Sequence, residues 1–223
     1  MERDLKLTEK IRKYCCKIGA DIIGFADVKH FNKFQTYNQP ENYLKNSKTV
    51  IVLGLHIFDL VLDAWNINPD NGKNYQFADT ILEKLCNLTK DFVKELGYET
   101  EIISYTPGLF LKDSAALAGI GPIGKNNLLI TENFGSQVRL RALVTTAPLI
   151  CGKPILESKY CKKCELCVKS CPADAFKNGK YNKDICQPFQ LIHLRKLSEN
   201  TSIWCNICID SCTANKYLKK KDY

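Results

Sequence analysis

The stretch YCKKCELCVKSCP, Tyr160 to Pro172, places cysteines at 161, 164, 167 and 171 with a proline directly after the last. It decides the fold of its part of the chain, because a segment this dense in thiols folds around whatever the thiols bind. The chain holds 12 cysteines in 223 residues. Disulfide frameworks belong to short secreted chains, whereas clustered cysteines in an intracellular chain point to metal or redox chemistry. Eight of the 12 fall between Cys161 and Cys212. Cys15, Cys16 and Cys86 lie in apolar-periodic helix patterns and read as small buried hydrophobes, while Cys151 has no assigned role. The charged opening MERDLKLTEK lacks the apolar run of a signal peptide, and no apolar run approaches the roughly 20 residues of a membrane span. The expectation is a soluble, cytoplasmic protein.

Working outward, the first group reads Cys161-x2-Cys164-x2-Cys167-x3-Cys171-Pro172, the run found in bacterial two-cluster ferredoxins. Two-residue loops let three thiolates wrap one face of a cubane, and the fourth cysteine of such a run points to the other cluster. The second group, Cys205-x2-Cys208-x3-Cys212, is one cysteine short, and Cys186 supplies it. Cys161, Cys164, Cys167 and Cys212 then complete one site; Cys171, Cys186, Cys205 and Cys208 complete the other. Eight ligands fit two [4Fe-4S] clusters with none left over. Zinc ribbons also use Cys-x2-Cys pairs, but not three cysteines at two-residue spacing followed by Cys-Pro. The potentials of such clusters span about −700 to +450 mV, and the spacing does not fix them.

The rest of the chain reads as mixed α and β. Residues 5–18 carry Leu5, Ile11, Tyr14, Cys15 and Ile18 near one helical face, stopped by Gly19. Residues 21–28 and 49–57 read as buried strands, 75–96 as a long amphipathic helix, 98–105 as a strand and 111–118 as a short helix. NLLIT (127–131) and QVRLRALVTTAP (137–148) read as further strands. Pro148 and CGKPILESK (151–159) mark a boundary, giving an α/β domain over 1–150 and a cysteine-rich domain over 151–223. No internal repeat stands out. The net charge of +8 is uneven: residues 151–223 hold 14 Lys and Arg against 7 Asp and Glu. That excess, which includes Lys219 to Lys221, suits an acidic protein or nucleic acid, or is a solvated surface.

AGIGPIGKNN (118–127) contains Gly119-x-Gly121-x-x-Gly124. It is not a dinucleotide fingerprint, since a helix precedes it and a strand follows, and no Ser or Thr follows Gly124-Lys125 as in a phosphate loop. The glycines permit a tight turn or a close approach of backbone to a ligand. His30, His56 and His193 show no metal-ligand spacing, and His56 reads as a structural histidine at a strand end. Arg139 and Arg141 alternate on one strand, facing either an anion or solvent. Trp204, beside Cys205, is placed to shield a cluster from water.

Taken together, AGIGPIGKNNLLIT, GSQVRLRALVTTAPL and the cysteine series resemble the epoxyqueuosine reductase family and the related reductive dehalogenases. The resemblance runs from about residue 100 to 218 and reaches GADIIGFADV near the start. It implies an α+β protein: a nitroreductase-like sandwich related to cobalamin-processing proteins, followed by a small bacterial-ferredoxin-like domain with two clusters. It implies a reductase in which electrons pass through the clusters to a base-off cobalamin. Gly119, Gly121, Gly124, Lys125, Asn126 and Ser136 become corrinoid-side candidates.

There are departures from the family pattern. The Asp of the family's Asp-Ser-Ala-Pro segment, its proton donor, is absent from Ser104-Tyr105-Thr106-Pro107, which leaves Tyr105 as the catalytic candidate by likeness to the dehalogenases. The family's Gly-Trp is Gly121-Pro122, and its Gly-Ser-Trp-Phe is Gly135-Ser136-Gln137-Val138. The tail of helical repeats that helps the reductases hold tRNA is missing from a chain ending at Tyr223. tRNA is therefore the weaker candidate partner, and a small-molecule or protein-bound acceptor the stronger. A reduced ferredoxin or flavodoxin is the implied electron donor. Two other readings stand beside this one: an electron-transfer or reductive-activation partner without corrinoid, and a flavin-containing reductase.

Overall fold

The structure, a computed structural model, describes residues 2–105, 107–176 and 179–216. Thr106 and Lys219 to Lys221, used above, lie outside that range. The chain forms two compact units, neither contiguous in sequence: 1–56, 81–122 and 139–156 make the first, and 57–80, 123–138 and 157–223 the second. Each unit thus draws residues from both sides of position 150 or gathers segments far apart in sequence. Segments 57–80 and 123–138 go with the cysteine-rich part, because their strands and turns find their partners there.

The first unit contains α1 (Leu5–Lys17), β1 (Ile22–Asp27), β2 (Thr49–His56), most of α2 (Phe77–Glu95), β5 (Thr100–Ile102), α3 (Leu111–Leu117) and β6 (Val138–Thr145). Its sheet runs β1-β2-β6-β5, with β1 and β2 antiparallel in the register Phe25↔Ile51, and β5 and β6 antiparallel. Asp4 caps α1, its carboxylate accepting from the Leu7 N–H at 2.8 Å. The face of α1 that is buried carries Leu7, Thr8, Ile11 and Cys15, while Leu5 is exposed, so the expected stripe is rotated toward Leu7.

Alternation in β1 sets the layers. Phe25 joins Ile11, Cys15, Leu82, Cys86 and Val93 in one core beneath α1 and α2. Gly24 points the other way, where a Cβ would lie 2.6 Å from Ile120, just past α3. Helices therefore cover both faces of the sheet. Cys15 and Cys86 are fully buried as expected, but Cys16 is exposed, since it falls one residue off the buried stripe. Burial pushes the Cys15 thiol up to about 11, as suits an inert core residue.

The second unit holds β3 (Trp65–Ile67), β4 (Asn74–Tyr75), α4 (Leu166–Lys169), α5 (Lys183–Ile192), β7 (Arg195–Ser198), β8 (Thr201–Ile203), α6 (Ile207–Asp210) and α7 (Thr213–Lys216). Its sheet is antiparallel, ordered β4-β3-β8-β7. The expected strand at 127–131 is instead a pair of turns, closed by isolated bridges Ile123↔Leu129 and Thr131↔Gly135. Asn127 adopts φ 60°, which breaks any extended run there.

Candidate metal centre

Four of the thiols line one cavity, and the other four are Cys208 and three that lie near it. Cys161, Cys164, Cys167 and Cys212 line one cavity together with Lys125, Asn126, Ile130, Tyr160 and Thr213. Cys208 has Cys205, Cys186, Cys167 and Cys171 as neighbours, in falling order of their effect on it. Burial, and then these neighbouring thiols, push Cys208 up to about 12. Burial, with Cys212, Cys161 and Cys164, likewise raises Cys167. Without bound metal the raised Cys167 and Cys208 thiols stay protonated near neutral pH, so a metal bound there must displace their protons. Among the described residues no three His, Cys, Asp or Glu side chains stand close enough to hold a single metal ion.

The local fold explains the grouping. Cys164-x2-Cys167-x2-Ser170-Cys171 and Cys205-x2-Cys208-x2-Ser211-Cys212 are the same pattern twice. Each middle cysteine sits on a one-turn helix, α4 or α6, and each serine N–H caps that helix by donating to Leu166 O or Ile207 O at 2.9 Å. The two serine hydroxyls meet at 2.8 Å. Each copy's last cysteine joins the other copy's set, while Cys161 and Cys186 fill the remaining places. The repeat is hidden when cysteines alone are counted and emerges once Ser170 and Ser211 are aligned with them.

The glycine loop divides between the two units. In the first, Gly119 has φ 74°, and a Cβ there would lie 2.7 Å from the Lys153 carbonyl oxygen. In the second, a Cβ at Gly124 would meet the Ile130 side chain at 2.6 Å. Packing therefore accounts for both glycines. The Lys125 N–H donates to Cys161 Sγ at 3.5 Å, and buried Asn126 donates from Nδ2 to the Cys208 carbonyl at 3.4 Å. Ser136 is buried and donates from its N–H to Asn215 Oδ1 at 2.8 Å.

Ser136 also lines a second cavity with Ile57, Gln137, Trp204, Cys205 and Asn206. Trp204 Nε1 and Asn206 Nδ2 are buried there without an acceptor among the described residues. Trp204 packs against Trp65, ring centroids 5.8 Å apart.

In the first unit, Tyr105 lies under the Arg141 guanidinium at 4.0 Å and near that of Arg139 at 5.9 Å. Its hydroxyl is 3.5 Å from the Leu140 carbonyl. The alternation of Arg139 and Arg141 on β6 thus serves one aromatic ring. His56 ends β2, its N–H donating to Asp21 at 2.9 Å, and burial lowers its imidazole pKa against the pull of Asp21.

No protein-family model matches the chain. An epoxyqueuosine reductase of Cyclobacterium marinum is 26% identical over 253 residues, covering 96% of this chain and 81% of that protein. A tetrachloroethene reductive dehalogenase of Desulfitobacterium hafniense is 27% identical over 161 residues, 65% of this chain and 28% of its own length. A crystal structure of epoxyqueuosine reductase with an epoxyqueuosine-modified tRNA-Tyr stem loop aligns with 98% of this chain and 67% of its own at TM-score 0.72. At 22% identity that likeness is one of fold.

The chain is similar to epoxyqueuosine reductases and, over a shorter stretch, to reductive dehalogenases. It is an oxidoreductase enzyme with a mixed α/β fold. Among the described residues no helix is long and apolar enough to cross a membrane.

Proposed function

We propose that the chain is an iron–sulfur reductase in which Cys161, Cys164, Cys167 and Cys212 hold one [4Fe-4S] cluster and Cys171, Cys186, Cys205 and Cys208 a second. The observation that carries this reading is the four thiols of Cys161, Cys164, Cys167 and Cys212 around one cavity, with Cys171, Cys186 and Cys205 near Cys208. Four thiols around a cavity fit a four-iron cage better than a single zinc ion, which needs ligands within about 2.3 Å of one point. Bound there, the clusters store and relay single electrons. The doubled Cys-x2-Cys-x2-Ser-Cys pattern with exchanged last ligands supports a bacterial-ferredoxin-like second unit. The sheet with helices on both faces supports a nitroreductase-like first unit.

The electron acceptor in this reading is a corrinoid, and the cavity beside Cys205 is where its partners are sought. Two buried N–H donors without acceptors, on Trp204 and Asn206, fit a ligand rich in amide carbonyls, since such donors are costly to leave unpaired. Ser136 is the corrinoid-side candidate on that wall. Gly119, Gly124, Lys125 and Asn126 are accounted for by contacts within the protein. A bound corrinoid supplies a cobalt centre able to reduce carbon–oxygen or carbon–halogen bonds.

Tyr105, whose ring lies 4.0 Å from the Arg141 guanidinium, is the proton donor in this account. Without the family's aspartate at that segment, the substrate is a small or protein-bound acceptor in preference to epoxyqueuosine in tRNA. A reduced ferredoxin or flavodoxin supplies electrons, drawn by the basic surface. A second reading, an electron-transfer protein without corrinoid, has one observation in its favour: α5, which carries Cys186, buries no residue, and β7 is exposed at every position, an open face for a partner.

Anaerobic titration of the iron-loaded protein with cobalamin, followed by optical and EPR spectra, tests the proposal. One equivalent converting to a base-off cob(II)alamin signal is the result expected. No binding with both clusters intact overturns the corrinoid and leaves the electron-transfer reading.

A further inference from the structure

Residues 191–199, LIHLRKLSE, run from the end of α5 through β7, and all nine are exposed. Four of them are large and apolar: Leu191, Ile192, Leu194 and Leu197, with Ile192 76% exposed. Arg195 and Lys196 stand between Leu194 and Leu197, and Glu199 closes the run. Apolar side chains gathered in water mark a surface that a partner covers. Their place in the fold says what the partner does. α5 buries no residue, and Ile192 lies six residues along it from Cys186, about 9 Å of helix rise. Cys171, Cys186, Cys205 and Cys208 are all half-buried, whereas Cys167 and Cys212 of the other four are buried. The Cys186 group is thus the one that opens toward solvent, and this face lies beside it.

Two occupants meet obstacles. A second copy paired through β7 about a twofold axis sets Arg195 and Lys196 against their own kind, between chains of net charge +8. A strand added at β7, the edge of its sheet, meets a register shift between Lys196 and Ser198, an irregularity that works against pairing. An acidic protein meets neither. We infer that the face of Leu191, Ile192, Leu194, Arg195, Lys196 and Leu197 docks an acidic one-electron donor protein, and that electrons enter the chain through the cluster held by Cys171, Cys186, Cys205 and Cys208. The inference rests on the two-cluster reading above and gives its donor a place. Opposite charge steers the donor in, and the apolar side chains hold it at contact. So small an apolar group with a basic neighbourhood suits a transient electron-transfer encounter, which buries less than about 1,200 Å² in total. The step moves one electron: the donor's redox centre is oxidised by one, the cluster is reduced by one, and no bond is made or broken.

The test is anaerobic stopped-flow mixing of the oxidised, iron-loaded full chain with a pre-reduced acidic [2Fe-2S] ferredoxin, with iron and sulfide counted in every preparation. Arg195→Glu/Lys196→Glu reverses the charge of the face, and Ile192→Ser removes its most exposed apolar group. Lys6→Glu/Lys13→Glu makes the same charge change at exposed positions of α1. The parent rate should fall as salt is raised. The double face variant should be slower by at least about tenfold, Ile192→Ser slower by less, and the α1 variant within about twofold of the parent. Reduction by dithionite, a small donor that needs no docking face, should be the same in all. Face variants that lose iron, or that are reduced at the parent rate, overturn the inference. So does an α1 variant slowed as much as the face variant, or a dithionite rate that falls with the ferredoxin rate. A dimeric parent that Ile192→Ser splits into monomers also overturns it, giving the face to a second copy. A parent chain that takes up no iron–sulfur clusters sinks the two-cluster reading itself, a failure told apart by the iron and sulfide count.

Discussion

Asn215 joins the Gly135–Ser136 turn to the helix that carries Cys208, and Asn215→Ala measures what that link contributes. Its Oδ1 accepts the Ser136 N–H at 2.8 Å and the Ser136 hydroxyl at 3.3 Å, and its Nδ2 donates to the Ile209 carbonyl at 2.7 Å. Asn215 is 9% exposed and Ser136 3%. The hydroxyl can turn to another partner, but the Ser136 N–H and one bond to the Ile209 carbonyl are lost outright. Each buried polar group left unsatisfied costs about 1–3 kcal/mol. Water entering the vacated space recovers part of that, so the net loss is about 2–4 kcal/mol. With a urea slope of about 1–3 kcal/mol per M, the midpoint falls by roughly 1–2 M. The assay is anaerobic urea unfolding of the iron-loaded protein, followed by far-UV circular dichroism and by the visible cluster absorbance. Asn215→Asp keeps the acceptor and loses the donor, and should fall between. A midpoint for Asn215→Ala within about 0.3 M of the parent refutes the reasoning, since an error of that size leaves less than about 1 kcal/mol for the link.

Other outcomes follow from the same structure. Asp27, bonded to the Arg3 guanidinium, is partly buried, which works against ionisation, but the Lys29 N–H and Arg3 outweigh this and hold its carboxyl below the usual range. Its contribution of about 1–2 kcal/mol is present above the ordinary carboxylate pKa and is lost as pH falls through the lowered folded value. Thermal midpoints of Asp27→Asn should therefore lie below the parent near neutrality and converge with it in acid. Gly119→Ala, forced to φ 74° against the Lys153 carbonyl, should destabilise the chain by about 2 kcal/mol or more in denaturant unfolding. Tyr105→Phe should keep both clusters while turnover, once a substrate is in hand, falls about 10²–10⁴-fold.

Much of the first unit was legible because its signals are local. TVIVLGLHI could only be a buried strand, and the apolar spacing of 77–95 could only be a long helix. What was hidden depends on partners distant in sequence. Trp65–Ile67 is too short to read as a strand by itself and becomes one only against Thr201–Ile203. NLLIT looks extended by composition, yet Asn127 at positive φ and the Gly124–Leu128 bond turn it back on itself. The glycines of 118–127 suggested a ligand, and the structure supplies a different reason for two of them: a carbonyl at Gly119 and an isoleucine at Gly124 already occupy the space a side chain needs. No spacing rule reaches the Trp204 and Asn206 donors, which find no acceptor among the described residues and whose meaning exists only in three dimensions.

The most direct test of the account is the iron and acid-labile sulfide content of the anaerobically reconstituted chain, measured beside Cys186→Ser. About eight irons and eight sulfides per chain, with a selective loss of one cluster signal in the variant, is the result that two four-cysteine sites require. Zinc without sulfide, or a single cluster unaffected by the loss of Cys186, contradicts it.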